Sequence, residues 1–177
     1  MSDLDDAAVL LTTARLVVRR FHAGDVDAIH RYRNDPEVAR LQGWGTPWAR
    51  DDAVMFVAEM ALRDPLLERG EWAQLALERR ERPGLIGDIG VLWQADDDVA
   101  EIGFSLGRAE WGNGYMTEAL AAVCERLAAD LGLRLVAAVT AMANTRARGV
   151  LERAGFRPVA LDGDDVVYAW KPGGWPE

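Results

Sequence analysis

The sequence predicts an α+β domain in which a mostly antiparallel sheet is flanked by helices. Three observations predict it. The first third reads as one strand followed by helices; the middle holds three β-rich runs separated by the charged turns RRERPG and QADDD; the last third runs helix, strand, helix and closing hairpin. Half of the 177 residues are hydrophobic, enough for one core, and no repeat, linker or low-complexity stretch divides the chain.

Taken in order, residues 1–12 read as a loose acidic tail and residues 13–177 as a single domain. Arg15–Phe21 (RLVVRRF) alternates and is β-branched enough for a strand. Gly24-Asp25 offers a helix start, Val26, Ile29, His30 and Tyr32 follow at helical spacing, and Asn34-Asp35-Pro36 stops and restarts the helix. Arg50-Asp51-Asp52 opens the next helix, which carries Val54, Phe56, Val57, Met60 and Ala61. Trp72–Glu78, Leu85–Trp93 and Val99–Leu106 form an antiparallel meander. A helix follows from Gly114 to Leu131, with Leu120, Val123, Cys124, Leu127 and Leu131 on one apolar face and Gly132 ending it. Leu135–Ala141 (LVAAVTA) is a continuous apolar run, which predicts a buried central strand. Asn144–Ala154 is a short helix stopped by Gly155, and Phe156–Leu161 with Val166–Trp170 close a hairpin around DGDD. The order is β-α-α-β-β-β-α-β-α-β-β.

Composition narrows the function. Asp and Glu number 29 against 20 Lys and Arg, a formal net charge of −9, which argues against a basic nucleic-acid-binding face and suits a cationic partner or plain solubility. Cys124 is the only cysteine, so a disulfide framework or thiolate metal cluster is excluded within one chain. His22 and His30 are too few for a zinc site, and no metal is expected. The start, MSDLDDAAVL, carries acids where a signal peptide carries bases, and the Ala- and Leu-rich region 119–143 is broken by Glu125, Arg126, Asp130 and Arg134. The expectation is a cytoplasmic protein away from membranes.

The stretch Glu110–Leu120 (EWGNGYMTEAL) places a glycine-bearing loop between a strand and a helix. That arrangement points unpaired N–H groups at an anion, and glycine permits both close approach and positive φ. It also describes a tight turn that merely starts a helix. The nucleotide fingerprints fit poorly: Tyr115-Met116 follows Gly114 where a P-loop needs Lys and then Ser or Thr. A dinucleotide fold would need a third glycine, where Ala119 or Leu120 stands.

With these elements in order, the chain resembles the GNAT superfamily of acyl-CoA-dependent N-acetyltransferases, and within it the RimJ/RimL-type ribosomal-protein N-terminal acetyltransferases. The resemblance rests on TARLVVRRF…GDVDAIHRYRNDPEVAR, AEIGFSLG, EWGNGYMTEAL and NTRARGVLERAGFRPVA, which cover nearly the whole chain in the family's order. It implies a mixed, mostly antiparallel seven-stranded sheet and acetyl-CoA as cosubstrate, with the CoA pyrophosphate held on loop amides. Laid on the family's Arg/Gln-x-x-Gly-x-Gly/Ala pattern, Trp111 takes the first place, Gly114 matches and Met116 stands at the last. The implied cofactor residues are Trp111, Gly112, Asn113, Gly114, Tyr115, Met116 and Thr117, with Asn144 on the CoA arm. Leu151–Phe156 matches the family's LEKxGF ending. Ala147 stands where this branch often has Ser, and Leu151 where other members carry a tyrosine general acid, so the resemblance names no general acid here.

The family's reaction is direct attack of an amine on the thioester between two splayed strands, here Val99–Leu106 and Leu135–Ala141, with main-chain groups of Phe104, Ser105 and Leu106 along the cofactor. Holding a lysine neutral at pH 7 costs about 4.6 kcal/mol, against about 1 kcal/mol for an α-amino group. An N-terminal acceptor therefore demands less of a base. Glu101 is the candidate base, sharing a strand face with Gly103 and Ser105; Asp88 is its rival, and a solvated strand carboxylate is the plain alternative. Trp44, Trp48 and Trp72 line an acceptor pocket or belong to the core, and Arg146 and Arg148 meet cofactor phosphates or form a solvated helix face. The expected partner is an amine acceptor, a protein N-terminus or a small molecule such as an aminoglycoside or polyamine; a homodimer is allowed. A non-catalytic acyl-CoA sensor is the competing class.

Overall fold

The computed structural model describes residues 9–40, 42–64, 69–94 and 97–175. Strands β1 (Val9–Thr12), β2 (Leu16–Arg19), β3 (Trp72–Arg79), β4 (Arg82–Trp93), β5 (Val99–Leu106), β6 (Leu135–Ala141), β7 (Arg157–Asp162) and β8 (Asp165–Trp170) form one sheet. Their spatial order is β1-β2-β3-β4-β5-β6-β8-β7. Every neighbouring pair is antiparallel except β5 with β6. The sheet thus has eight strands rather than seven. The extra one, Val9–Thr12, falls in what composition reads as tail. It pairs with β2 through Val9↔Arg19 and Thr12↔Val17, and Leu10 and Leu11 pack against the main core. Partial burial of Leu10 and Leu11, with backbone pairing to β2, outweighs the acidity averaged over the segment.

The helices start and stop for local reasons. Helix α1 (Val26–Arg33) follows a 3-10 turn whose His22–Asp25 capping box satisfies two backbone donors. Helix α2 (Pro36–Ala39) takes Asp35 as N-cap and Pro at its first position. Helix α3 (Arg50–Leu62) carries Asp51 and Asp52 in its first turn. Helix α4 (Tyr115–Leu131) ends at Gly132, whose φ of 67° closes a left-handed C-terminal turn. Helix α5 (Thr145–Arg153) is capped by Asn144, which accepts from the Ala147 amide at 3.1 Å.

A core lies on each face of the sheet. On one, Ala119, Leu120, Val123, Cys124 and Leu127 of α4 meet Leu75, Ile89, Ile102 and Val136 from four strands, and Leu151 of α5 joins them. Burial raises the Cys124 thiol pKa well above its ordinary value, so this cysteine packs as an apolar side chain. On the other face, Ile29 and Tyr32 of α1 and Ala53, Val57 and Met60 of α3 cover Ala76 of β3.

Strands β5 and β6 pair only through Val99↔Leu135, Ala100↔Val136 and Glu101↔Ala137. Beyond that point they part, while β4 stays with β5 to Leu106 and β8 with β6 to Asp165. The parting corrects the expectation of a buried central LVAAVTA strand: Val136 and Ala138 face α4, whereas Val139 is 47 % exposed because no strand or helix among the described residues covers its side of the gap.

A buried cluster of charge is built around Arg19. Arg19, 1 % exposed, donates to both Asp25 oxygens at 2.7 and 2.8 Å and to Glu78 Oε2 at 2.9 and 3.0 Å. It ties β2, the turn before α1 and β3 together. Arg19→Met would strand two carboxylates in the core, a loss of about 3–5 kcal/mol. The expected outcome in a thermal melt is a midpoint lowered by about 10 °C or more.

Candidate functional site

Where β5 and β6 part, a cleft of about 680 Å³ opens. Its walls are Phe104–Leu106 of β5, the loop from Trp111 to the first turn of α4, and Ala143–Ala147 at the start of α5. Of the cofactor residues expected from sequence, Phe104, Ser105, Leu106, Trp111, Gly112, Gly114, Tyr115, Met116, Thr117 and Asn144 all line it. Asn113 is turned away: its carbonyl accepts from Arg15 Nη1 at 2.8 Å, and its side chain donates to the carbonyls of Glu110 and Trp111.

The loop has the construction of an anion cradle. Gly112 and Gly114 have φ of 79° and 75°, a region that side chains avoid. A Cβ on Gly112 would meet nothing within 4 Å, so its surroundings are open. Gly114 is the N-cap of α4 and offers no capping side chain. The first-turn amides therefore face the cleft at the positive end of a 17-residue helix. The Thr117 hydroxyl, in the same turn, is buried without a hydrogen-bond partner among the described residues. A phosphate-bearing group of CoA fits this donor set: main-chain N–H groups, one orphan hydroxyl and a helix dipole.

Residues far off in sequence hold the cradle. Glu118 accepts from Thr13 Oγ1 at 2.5 Å, from the Arg15 amide at 2.9 Å and from Arg15 Nε at 2.6 Å. The Arg15 guanidinium also lies 4.8 Å from the Tyr115 ring centre. Burial pushes the Glu118 pKa up, but these hydrogen bonds and the Arg15 charge outweigh it and leave it below the ordinary value.

The free edge of β5 is partly occupied by side chains. The Phe104 carbonyl accepts from Gln42 Nε2 at 3.4 Å and the Leu106 carbonyl from Trp111 Nε1 at 2.8 Å. Alternation along the strand turns the main-chain groups of these two residues toward the gap. Three arginines, Arg40, Arg146 and Arg153, line the cleft, with Arg146 over the Trp111 ring at 4.7 Å. Arg40 and Arg153 were not singled out in sequence, where nothing marks them from other surface arginines. Arg148 departs from expectation. It donates to the Tyr168 hydroxyl at 3.1 Å and the Met142 carbonyl at 3.2 Å, which turns it away from the cleft.

The two candidate carboxylates differ sharply. Asp88, 2 % exposed, accepts from the Tyr32 hydroxyl and pairs with Arg33 at 3.3 Å. Burial first, then the Asp88 charge, push the Tyr32 pKa well above its ordinary value against the pull of Arg33. Asp88 is thus engaged by a buried hydroxyl and a buried guanidinium. Glu101 is half-buried, forms the last β5–β6 pair with Ala137, and has no side-chain partner among the described residues; it stands at the root of the parting, three residues before Phe104, and is not among the residues that line the cleft. Trp44 and Trp48 serve Arg33: with Phe56 they surround its guanidinium at 4.3–5.0 Å, and Trp44 Nε1 donates to the Arg33 carbonyl at 3.0 Å. Trp72 stands apart, 38 % exposed on β3.

Comparison with known proteins agrees with this geometry. Residues 15–157 match the family model described as "Acetyltransferase (GNAT) domain". The uncharacterized N-acetyltransferase p20 of Bacillus licheniformis is 28 % identical over 152 residues, 85 % of this chain and 84 % of that protein. Among solved structures, the Vibrio cholerae spermidine N-acetyltransferase in complex with CoA and spermine superposes with a TM-score of 0.74 at 15 % identity, covering 90 % of this chain and 96 % of that one. RimL, the ribosomal L7/L12 α-N-protein acetyltransferase, superposes with a TM-score of 0.75 at 19 % identity, covering 93 % and 94 %.

The lowered Glu118 pKa has a sign that can be checked. Its stabilising contribution is fully present above about pH 4.3, the ordinary glutamate value, and is lost as pH falls through the lower folded-state value. Glu118→Gln is therefore expected to lower the melting midpoint by a few degrees at pH 7 and by less near pH 3. Melts at the two pH values check this.

Proposed function

The chain belongs to the GNAT acetyltransferase family, and from that premise we propose that it transfers an acetyl group from acetyl-CoA to a primary amine, the N-terminus of a protein, in the manner of the RimJ/RimL-type branch. The observation that carries this reading is Glu101, an unpaired half-buried carboxylate at the last residue pair before β5 and β6 part. When bound, acetyl-CoA supplies an acetyl thioester open to attack by a neutral amine. The chain's own part is to bind, orient and deprotonate. The amides of Gly112–Thr117 and the Thr117 hydroxyl hold the pyrophosphate, and Asn144, whose side-chain oxygen is used in capping α5, offers its NH2 to the CoA arm. The main-chain edge at Phe104–Leu106 lies along the pantetheine. Glu101 takes the ammonium proton, directly or through one water.

An α-amine needs only about 1 kcal/mol to be neutral at pH 7, so one carboxylate without a metal or histidine suffices. This favours a protein N-terminus over lysine. Leu151, where relatives place a tyrosine acid, is fully buried in the core and carries no proton. The second proton that the nitrogen loses on forming the amide would pass through water to the departing thiolate, so no side-chain acid is required. If the chain is instead an acyl-CoA sensor, it binds the thioester and releases no thiol with any amine.

Thiol release from acetyl-CoA with an amine panel tests the reading. Glu101→Gln is expected to lower kcat/KM by about 100-fold or more at pH 7 and by less at pH 9, with CoA affinity unchanged. An unaltered pH–rate profile counts against the assignment. Gly114→Val, which forces a β-branched residue to positive φ in the cradle, is expected to weaken CoA binding by about tenfold or more in calorimetry.

A further inference from the structure

Beside Glu101, on the sheet face away from α4, lies a strip floored by glycine. Gly90 of β4 and Gly103 of β5 stand directly opposite each other in the antiparallel ladder, and Gln74 of β3 stands opposite Gly90. The two glycines are used differently. A Cβ on Gly90 would lie 2.6 Å from Gln74 Nε2 and 3.0 Å from Gln74 Oε1, so the missing side chain makes room for the Gln74 carboxamide. A Cβ on Gly103 would meet nothing within 4 Å. Its φ lies outside the left-handed region, so the backbone there does not call for glycine. Glycine in mid-strand costs stability, and no packing reason accounts for this one. The Gln74 carboxamide, half-buried over Gly90, has no hydrogen-bond partner among the described residues.

We infer that Gln74 and Gly103 are specificity-determining residues that select an acceptor amine carrying an adjacent amide. The inference rests on the acetyl-transfer reading of the cleft. The open floor at Gly103 admits a flat group against the sheet, and Gln74 presents one donor and one acceptor, the complement of an amide's C=O and N–H. The spacing agrees. From the carboxamide over Gly90, Glu101 lies about one strand across and two residues along, roughly 8 Å in all. A hydrogen bond of about 3 Å at each end leaves roughly 2–3 Å for the acceptor, the separation of an amine nitrogen from the neighbouring carbonyl oxygen. An alkyl polyamine can donate to Gln74 Oε1 but offers no acceptor to its NH2, which would stay unsatisfied, and that is the basis for discrimination.

The test uses alanyl-alanine amide, the same dipeptide amide N-methylated at its peptide bond, and spermidine. Binding to the CoA-loaded protein is read by calorimetry and turnover by thiol release. Wild type is expected to bind the dipeptide amide at least tenfold more tightly than either alternative, with the difference in KM rather than kcat. Gln74→Met should erase the discrimination between the methylated and unmethylated peptides. Gly103→Ala should raise KM for the dipeptide amide several-fold while CoA affinity holds and the melting midpoint stays level or rises, a result that a packing role for the glycine would not give. Discrimination that survives Gln74→Met, or tighter binding of spermidine, overturns the inference while leaving acetyl transfer intact. Selective peptide binding without thiol release overturns acetyl transfer, and the acceptor role with it, while supporting recognition of the amide by Gln74 and Gly103.

Discussion

The structure depends on a sheet that stops being continuous. Between β5 and β6 the backbone is paired for three residues and then is not, so two groups of strands share a root and diverge. Unpaired main-chain groups in a sheet interior are costly unless something replaces the missing strand. Here side chains reach in at Phe104 and Leu106, from Gln42 and Trp111, and the rest of the gap is cleft. The cradle, the free strand edge and the unpaired carboxylate are all consequences of where the parting begins.

Charge is arranged so that, of the sheet carboxylates Glu78, Asp88 and Glu101, one has no side-chain partner among the described residues. Arg19 consumes Asp25 and Glu78, and Arg33 with Tyr32 consumes Asp88. Arg33 is in turn held by three aromatic rings, where a weakly hydrated guanidinium is stabilised more than it would be by packing alone. Each buried carboxylate has a cation, as burial of charge requires. Glu101, on the same sheet face as Asp88 and four residues from its cross-strand partner Ser105, has none, and its difference from Asp88 lies entirely in its neighbours.

How much was legible in the sequence follows from how local each signal is. Val99–Leu106 and Leu135–Ala141 are strands with the bounds read from pattern, and α4 and α5 begin and end at Gly114, Gly132, Asn144 and Gly155, because period and capping act within a few residues. The glycine loop was legible for the same reason. What escaped was non-local. The Arg15–Glu118 link joins residues 103 apart, and no periodicity announces it. Val9–Thr12 became a strand only because β2 offered an edge. Asp88 and Glu101 have equal standing as letters, and three-dimensional neighbours alone tell them apart. Trp44 and Trp48 were ambiguous between pocket and core, and their role as a collar for Arg33 belongs to neither category.

The three-residue seam also divides the sheet into two groups of strands. The meander β3-β4-β5 and the trio β6-β8-β7 each join strands close in sequence apart from the α5 crossover, so each closes mostly short loops. Little strand pairing joins them, and it is α4, buried against strands of both, that bridges the two groups. Two wings that gain most of their strand pairing internally meet at a seam with few backbone hydrogen bonds, where local opening costs least. The protein therefore keeps its cleft at the boundary between two groups of strands, each paired mostly within itself.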